Sequence, residues 1–493
     1  MNKSLAFAAA SLAVTATAAA APNDNAGNAR RPNIILFLVD DMGWQDTSLP
    51  FWTERTQYNN VYETPNMERL ARQGMMFTQA YAASVSSPSR CSLITGANNA
   101  RHRVTNWTLE RDKSVDLPSD VVDCPDWNIN GVSQVAGTPH TYVGTSFVEL
   151  LRHSGYHTIH CGKAHFGAMD TPGENPTHWG FEVNIAGHAA GGLATYLSEL
   201  NYGHTKDGKP TSLMSIPGLE KYWGTGTFVT EALTKEAIGA LDKAKKYNQP
   251  FFLYMSHYAI HIPIDRDERF FSKYVRKGLS DKEAAYASLI EGMDKSLGDL
   301  MDWVERNGEK DNTIILFMSD NGGLATNPTW RDGELFHQNY PLLSGKCSLY
   351  EGGIREPMIV SWPGVTRAGS KCDKYTMIED FYPHHSRNGW RKQVQDRGTY
   401  RRNLVRSDAA RDGRHIKGPC TGVELPQRMG QQRTRHQPQL RHTQGRVEAD
   451  ILLRHGPQRT LQHPCRHQRA AQCGCRTQGH REASVARTGR LSA

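Results

Sequence analysis

The chain has 493 residues, and 58 Lys and Arg residues against 50 Asp and Glu residues give it a formal net charge of +8. Residues 384–493 contain 21 Arg, 2 Lys, 4 Asp and 3 Glu, so this segment carries +16 and residues 1–383 carry −8. The basic character therefore belongs to the end of the chain alone, which excludes a charge-based nucleic-acid role for the main body.

Residues 1–22 have the composition of a secretory signal peptide. Lys3 supplies a positive end, and the stretch from Leu5 to Ala21 is apolar, rich in alanine and closed by small residues before Pro22. An N-terminal membrane anchor is the alternative, which the short apolar stretch disfavours. We therefore expect a cleaved leader, a linker over residues 23–31, and a periplasmic or secreted protein without a membrane span.

Apolar runs and helical periodicities alternate between residues 32 and 383. Four apolar runs predict strands that are covered on both faces: Ile34–Val39, Phe251–Met255, Thr313–Met318 and Met358–Trp362. Helices are predicted over residues 65–73, 146–153, 228–246 and 281–306, and Ser280 and Glu283 form a capping box before the last of these. This alternation indicates an α/β fold with a mostly parallel central sheet and flanking helices.

Two of the predicted strands run directly into acidic residues. Ile34–Val39 is followed by Asp40 and Asp41, and Thr313–Met318 is followed by Ser319, Asp320 and Asn321. Ligands of open α/β sheets bind beyond the carboxyl ends of the strands, so the two clusters are expected to converge. Their hard oxygen donors suit Ca2+ or Mg2+ and not a soft metal. Capping of a turn is the alternative role for each Asp.

A third polar segment, Ser86–Arg90, has the sequence Ser-Ser-Pro-Ser-Arg and is followed by Leu93–Gly96. Pro88 suits the first turn of a helix and Gly96 its end. We therefore expect Ser86 just ahead of a helix N-terminus, where backbone N–H groups favour an anion. Arg90 is spaced to face back towards Ser86.

The segment Ser86–Gly96 resembles the signature of the formylglycine-dependent sulfatases, a family of the alkaline phosphatase superfamily. Five further segments match that family in order: Pro32–Asp41, Gly162–Gly167, Ile260–Pro263, Ser319–Gly323 and Gly345–Arg355. The resemblance covers residues 32–383 and is greatest to bacterial sulfatases that act on polysaccharides. It implies an alkaline-phosphatase-like sulfatase fold for a catalytic domain over 32–383, and removal of sulfate from a sulfated carbohydrate.

The resemblance also implies a nucleophile and a metal site. Ser86 would be oxidised to formylglycine by a maturase, a radical-SAM enzyme in bacteria, and the hydrated aldehyde would attack sulfur. The modified Ser86 would also contact a calcium ion. The resemblance implies four further ligands for this ion: Asp40, Asp41, Asp320 and Asn321. An ordinary serine would be left as a stable sulfate ester, which is the chemical reason for the modification.

Five more residues take catalytic roles by resemblance. Arg90 would steady the modified side chain, and Lys163 and Lys346 would bind sulfate oxygens. His165 and His261 would transfer protons, with His261 preferred as the general acid for the leaving oxygen. Each of these side chains has a purely structural alternative, and for His257, which follows the strand ending at Met255, the structural alternative is favoured.

Substrate contacts are predicted from the residue types near these motifs. Four residues that follow the Ser86 segment, and one in the Gly-rich loop 187–191, are suited to a sugar pocket: Arg101, His102, Arg103, Trp107 and His188. Tryptophan offers a flat face to a sugar ring, and arginine pairs with a carboxylate or a second sulfate. A sulfated galactose or N-acetylgalactosamine unit is the expected substrate.

Family resemblance stops at Pro383, and residues 384–493 have only 14 Leu, Ile, Val and Phe residues, too few for a core. The Arg-rich, Lys-poor composition favours a shifted reading frame, which leaves the family's small C-terminal subdomain lost or out of frame. A disordered basic tail and an unfamiliar folded domain are the alternatives. The tail's cysteines match no zinc pattern.

Two function classes follow. The first is the sulfatase, with a related phosphoesterase disfavoured by the Ser86–Arg90 sequence. The second is a catalytically inactive, truncated sulfatase whose basic tail binds polyanions.

Overall fold

The computed structural model describes residues 30–121, 124–324 and 337–382. Its strands are Asn33–Val39 (β1), Met75–Tyr81 (β2), Val132–Ser133 (β3), Tyr142–Val143 (β4), His157–Gly162 (β5), Val183–Ile185 (β6), Phe251–Ser256 (β7), Thr313–Ser319 (β8), Arg355–Ser361 (β9), Ser370–Cys372 (β10) and Thr376–Met377 (β11). Its α-helices are Pro65–Gln73 (α1), Ser86–Thr95 (α2), Asn99–His102 (α3), Phe147–His153 (α4), Val229–Lys246 (α5), Glu268–Arg276 (α6), Asp281–Arg306 (α7) and Glu351–Ile354 (α8).

Among the described residues, one nine-stranded sheet organises the fold. Its strand order is β10-β2-β9-β8-β1-β7-β5-β6, with β11 beside β2. All pairings are parallel except the two that β9 makes with β2 and β8. The predicted α/β class with a mostly parallel sheet and flanking helices is therefore confirmed.

Helices cover both faces of this sheet, and β1 is accordingly apolar at every position after Asn33. Ile35, Phe37 and Val39 join a core with residues of α1, α5, α6 and α7. The alternate residues Ile34 and Leu36 join a second core on the opposite face with residues of α2 and α4. Side chains of a strand alternate between faces, so a continuous apolar run is what a doubly covered strand requires.

Four parallel strands, β1, β5, β7 and β8, end at the same edge of the sheet, called here the carboxyl edge. Helix α2 begins beside this edge, since the hydroxyl of its first residue, Ser86, contacts Asp40 after β1. The prediction put Ser86 just ahead of the helix. Val85 takes the extended N-cap conformation instead, so Ser86 is the first helical residue and Pro88 still lies in the first turn.

The boundaries of α7 agree with the sequence prediction, and the Ser280 side chain accepts a hydrogen bond from the Glu283 N–H at 3.3 Å. Strands β2 and β5 were missed because polar residues interrupt their apolar pattern, as Thr78 and Gln79 do in β2. No local pattern encodes the antiparallel direction of β9, since direction is fixed by the connections.

Several predictions lie outside the described residues: the signal peptide, most of the linker, the tail from residue 384 and its cysteines. Within residues 30–121, 124–324 and 337–382, none of the helices combines the length and hydropathy that a transmembrane span requires.

Candidate active site

Three carboxylates converge at the carboxyl edge. Asp40 and Asp41 follow β1 and Asp320 follows β8, and one oxygen atom from each lies within 4.8 Å of the other two. All three side chains are buried. Asp41 adopts a left-handed backbone conformation with φ 62° and donates its N–H to Asp320 Oδ1 at 3.3 Å. The parallel pairing of β1 with β8 thus brings together residues that are 280 positions apart in sequence.

Arg90 pairs with Asp320 in a fully buried, two-pronged contact. Its Nε lies 2.9 Å and its Nη2 lies 2.7 Å from Asp320 Oδ2. Nη1 donates to the Ser256 hydroxyl at the end of β7 and to the Lys163 carbonyl oxygen. Both side chains have 0% exposure, so the guanidinium is held from three strand ends at once.

Each of the other two carboxylates has its own lysine. Lys163 follows β5, and its Nζ lies 2.8 Å from both oxygens of Asp40. Lys346 Nζ lies 2.7 Å from Asp41 Oδ1 and 2.9 Å from Asp41 Oδ2. Every carboxylate of the cluster is therefore matched by one cation, which offsets the cost of burying charge.

Ser86 contacts residues of both acidic clusters and Lys163. Its Oγ lies 3.2 Å from Asp40 Oδ1, 3.1 Å from Asn321 Oδ1 and 2.9 Å from Lys163 Nζ. Asn321 also donates its Nδ2 hydrogen to Asp41 Oδ1 at 2.7 Å. Ser86 is 2% exposed and begins α2, so its oxygen sits where the helix N-terminus favours negative charge.

Burial shapes the protonation of this cluster. Burial raises the pKa of Asp40 to about 7 and lowers the pKa of Lys163 to about 8, with each charge opposing the shift of its partner. For Asp41 and Asp320 the neighbouring cations outweigh burial, so their pKa values lie below the ordinary value. Lys346 has this effect on Asp41 and Arg90 on Asp320.

The two predicted proton-transfer histidines lie in different surroundings. His261 Nδ1 lies 2.8 Å from the Ile262 carbonyl oxygen, while its Nε2 is 3.7 Å from Asp41 Oδ2. His165 Nε2 lies 2.8 Å from both the Ser87 hydroxyl and the Thr108 carbonyl oxygen. Burial lowers the pKa of His261 to about 3 and that of His165 well below its ordinary value. His261 thus points into the acidic cluster, and His165 contacts the neighbour of Ser86.

The Gly-rich loop 187–191 lies against these histidines. The backbone N–H of His165 donates to the His188 carbonyl oxygen at 3.2 Å. A Cβ atom on Gly191 would lie 2.0 Å from the His165 ring, so only glycine fits there. His188 itself is half-buried, and burial lowers its pKa to about 4. The predicted sugar-pocket loop is thus placed next to the centre.

The other predicted substrate residues differ in exposure. Arg101 and Arg103 are exposed, and the Arg103 guanidinium lies 5.2 Å from the ring centroid of Trp127. Trp107 is half-buried and precedes Thr108, whose carbonyl oxygen contacts His165.

His102 is completely buried. Its Nδ1 accepts from the Val104 N–H at 3.0 Å, and its Nε2 lies 2.9 Å from the Ser92 hydroxyl. Both ring nitrogens are engaged inside the protein, which favours a structural role. His257 is likewise buried, with Nε2 2.9 Å from Ser296 Oγ.

Three groups of contact residues in the site were not predicted from the sequence. Ser87 and Thr108 hold His165, Ser256 and Tyr254 contact Arg90, and Tyr196 lies behind His261. Ser87 lies inside the Ser86–Arg90 motif, and Ser256 directly follows the predicted strand Phe251–Met255, so both positions could have been identified from the sequence. Tyr196 lies in an irregular segment and carried none.

A mostly parallel sheet flanked by helices is the fold of the alkaline-phosphatase-like sulfatase superfamily, which the similar solved structures share. The sulfatase family model matches residues 32–386, and the chain belongs to that family.

Similar proteins come from bacteria and animals. A sulfatase of Formosa agariphila is 29% identical over 396 residues, covering 72% of this chain and 68% of that protein. N-acetylgalactosamine-6-sulfatase of Mus musculus is 28% identical over 373 residues, and the chain spans only 62% of its length. The crystal structure of Ps i-CgsB with k-i-k-neocarrahexaose superposes with a TM-score of 0.55 at 28% identity, covering 74% of this chain and 73% of that one.

Proposed function

We propose that the protein is a sulfuric ester hydrolase that removes sulfate from a sulfated carbohydrate. The observation that carries this proposal is the environment of Ser86. Its hydroxyl oxygen is buried at the start of α2 and contacts a carboxylate, an amide and an ammonium group. This environment is typical of a catalytic residue and not of a serine in a surface loop. The family membership supports the same reaction class.

Ser86 is proposed as the precursor of formylglycine. A maturase would remove two hydrogens from its hydroxymethyl group, and the hydrated aldehyde supplies a nucleophilic oxygen together with a second hydroxyl for release of sulfate. Lys163 is positioned to hold the nucleophilic oxygen, since its Nζ already lies 2.9 Å from Ser86 Oγ. The signal-like residues 1–22 support export to the periplasm or medium.

The carboxylate cluster fits a divalent cation. Three buried carboxylates lie within 4.8 Å of one another, and their hard oxygen donors match calcium. Asp40, Asp41, Asp320 and Asn321 would hold the ion beside Ser86. When bound, such an ion polarises sulfate oxygens and favours the ionised nucleophile.

The remaining residues act on the sulfate and the leaving group. The ammonium groups of Lys163 and Lys346 offset the charge that develops on sulfate oxygens. His261 presents Nε2 to the cluster, because its Nδ1–H is donated to the Ile262 carbonyl oxygen. The imidazolium form of His261, which the nearby Asp41 carboxylate favours, also carries a proton on Nε2, and transfer of that proton to the sugar oxygen leaves the neutral ring and releases the sugar as an alcohol.

The relatives support a galactose-type sugar as substrate. One relative carries the name N-acetylgalactosamine-6-sulfatase, and one structural neighbour was crystallised with a neocarrahexaose. We propose a sulfated galactose or N-acetylgalactosamine unit, with Trp107 and His188 at the pocket's edge.

The test uses the full chain co-expressed with a formylglycine-generating maturase. Inorganic sulfate released from carrageenan and from N-acetylgalactosamine 6-sulfate is measured for the wild type, for Ser86→Ala and for Ser92→Ala on the same helix. We expect release by the wild type and Ser92→Ala and none by Ser86→Ala. Mass spectrometry of the peptide that contains Ser86 should show the loss of two hydrogens.

Absence of release by the matured wild type on both substrates and on an aryl sulfate would contradict the proposal. That outcome would favour the inactive, polyanion-binding alternative. Equal release by Ser86→Ala and the wild type would contradict the assignment of the nucleophile.

A further inference from the structure

Tyr196 lies behind the backbone of His261. Its side chain has 0% exposure, and its hydroxyl lies 2.8 Å from the carbonyl oxygens of both Tyr258 and His261. A phenol has a single hydrogen, so the two carbonyls share one donor. Phe228 stacks on the Tyr196 ring with a centroid distance of 5.0 Å and an interplanar angle of 6°. The hydroxyl is thus fixed in place against the turn that carries His261.

The chain before Tyr196 is anchored independently. The Tyr196 N–H and the Thr195 hydroxyl both donate to Asp265 Oδ2, at 2.8 Å and 2.7 Å. The Ala194 N–H donates to the Met214 carbonyl oxygen at 2.8 Å. Residues 191–196, called here the strap, therefore approach His261 from a framework that does not include the carboxylate cluster.

The strap also meets the His261 ring. A Cβ atom on Gly192 would lie 3.1 Å from His261 Cε1, tighter than ordinary contact. The ring is therefore confined by Gly192 on one side, by its Nδ1 bond to the Ile262 carbonyl oxygen, and through its backbone by Tyr196. These contacts accompany a ring orientation that places Nε2 3.7 Å from Asp41 Oδ2.

We propose that the strap is a positioning element for His261 and that Tyr196 is its positioning residue. The inference rests on the proposed function, in which His261 donates a proton to the leaving oxygen. A proton donor works only within hydrogen-bond reach of the atom it protonates, so a small displacement of His261 reduces its contribution. Tyr196 does not contact the reacting atoms and acts through His261.

Leaving-group dependence separates positioning from general damage. A sugar alcohol is a poor leaving group and needs the proton, whereas a nitrophenolate leaves without it. Loosening His261 should therefore slow hydrolysis of a sugar sulfate and leave hydrolysis of 4-nitrophenyl sulfate nearly unchanged. A variant that merely unfolds would lose both activities in equal proportion.

The experiment compares Tyr196→Phe with Tyr202→Phe in the matured full chain. Tyr202 is a matched control, since it is also 0% exposed and donates its hydroxyl to one carbonyl oxygen, that of Thr227, at 2.7 Å. We expect kcat for the sugar sulfate to fall about tenfold in Tyr196→Phe, a fraction of the roughly 100- to 10,000-fold that a general acid contributes, because His261 is displaced and not removed. Tyr202→Phe should change kcat for the sugar sulfate and for 4-nitrophenyl sulfate by the same factor.

A second variant guards against loss of folding. Gly192→Ala adds one methyl group beside the His261 ring and should show the same selective loss on the sugar sulfate. A uniform effect of Tyr196→Phe and Gly192→Ala on both substrates, with thermal unfolding shifts like that of Tyr202→Phe, would overturn the inference.

A measurement without substrate makes the inference independent of activity. The protein is labelled with 15N-histidine, and the ring signals of His261 are assigned as those lost in His261→Gln. Their 15N chemical shifts report the tautomer and the surroundings of the ring. They should move in Tyr196→Phe and stay in Tyr202→Phe, and unchanged shifts in Tyr196→Phe would overturn the positioning role. If the wild type releases no sulfate, the proposed function fails and these shifts alone decide the inference.

Discussion

The centre of the site and its rim are built on different principles. At the centre, Asp40, Asp320 and Lys163 follow parallel strands and are fully buried, and each charge has an opposite partner within 3 Å. At the rim, Arg103 and Trp107 come from irregular chain and are exposed or half-buried. The centre is fixed by the sheet, whereas the rim is free to differ without disturbing the fold.

The centre and the rim should therefore respond differently to substitutions. Removal of one charge from the centre leaves its partner buried and unpaired, so stability and activity fail together. Removal of a rim side chain leaves the sheet and its charge pairs intact, so only recognition of the substrate should change. The following predictions test that division, from the largest expected effect to the smallest.

The largest effect on stability is expected for Arg90→Met. The guanidinium holds the pKa of Asp320 below its ordinary value, and its loss leaves a carboxylate buried in the core without its main partner. The free energy of unfolding should fall by about 3–5 kcal/mol, measured by urea denaturation.

Arg69→Met is the control for Arg90→Met. Arg69 is 23% exposed and pairs with Asp302, which is 46% exposed. Its removal should cost less than about 1 kcal/mol, because solvent screens exposed pairs. Equal losses in the two variants would contradict the claim that burial makes the central pairs indispensable.

Chelation should produce a smaller change that depends on the carboxylate cluster. In excess calcium chelator, the protein should lose about 2–3 kcal/mol of stability relative to calcium at about 100 times its dissociation constant. Calorimetric unfolding with and without calcium measures this difference. Asp41→Asn should remove most of the calcium response, while Trp107→Ala should keep it. Identical unfolding of the wild type in chelator and in calcium would contradict a calcium site.

The sequence predicts the centre better than the rim for a physical reason. Strands β1 and β8 are continuous apolar runs, and parallel strands end at one edge, so the meeting of Asp40 with Asp320 follows from local patterns. The individual ion pairs within the centre cannot be predicted from local sequence patterns. Lys346 meets Asp41 across 305 residues of sequence, a contact that only the assembled fold specifies.

His102 illustrates why the rim is harder to predict. A histidine beside two arginines suggests a polar pocket, yet this ring points inward, where Ser92 and the Val104 N–H engage both nitrogens. Burial lowers its pKa to about 4, so it is neutral near pH 7. Residue type alone does not tell which way a side chain in a short helix and loop will face.

The smallest predicted effects distinguish Trp107 at the rim from the buried His102. Trp107→Ala should raise KM for the sulfated glycan about tenfold, equivalent to about 1.4 kcal/mol, with kcat unchanged, because it removes the proposed sugar-binding face and none of the proposed reacting groups. His102→Ala should leave KM unchanged and lower the free energy of unfolding by about 1–3 kcal/mol, since the buried Val104 N–H loses its acceptor and the Ser92 hydroxyl keeps only Asn99. Steady-state kinetics and urea denaturation of both variants measure these quantities. A raised KM in His102→Ala with an unchanged KM in Trp107→Ala would reverse the assignment, since the substrate would then be recognised through the buried side of α3 and not through the exposed chain beside Thr108.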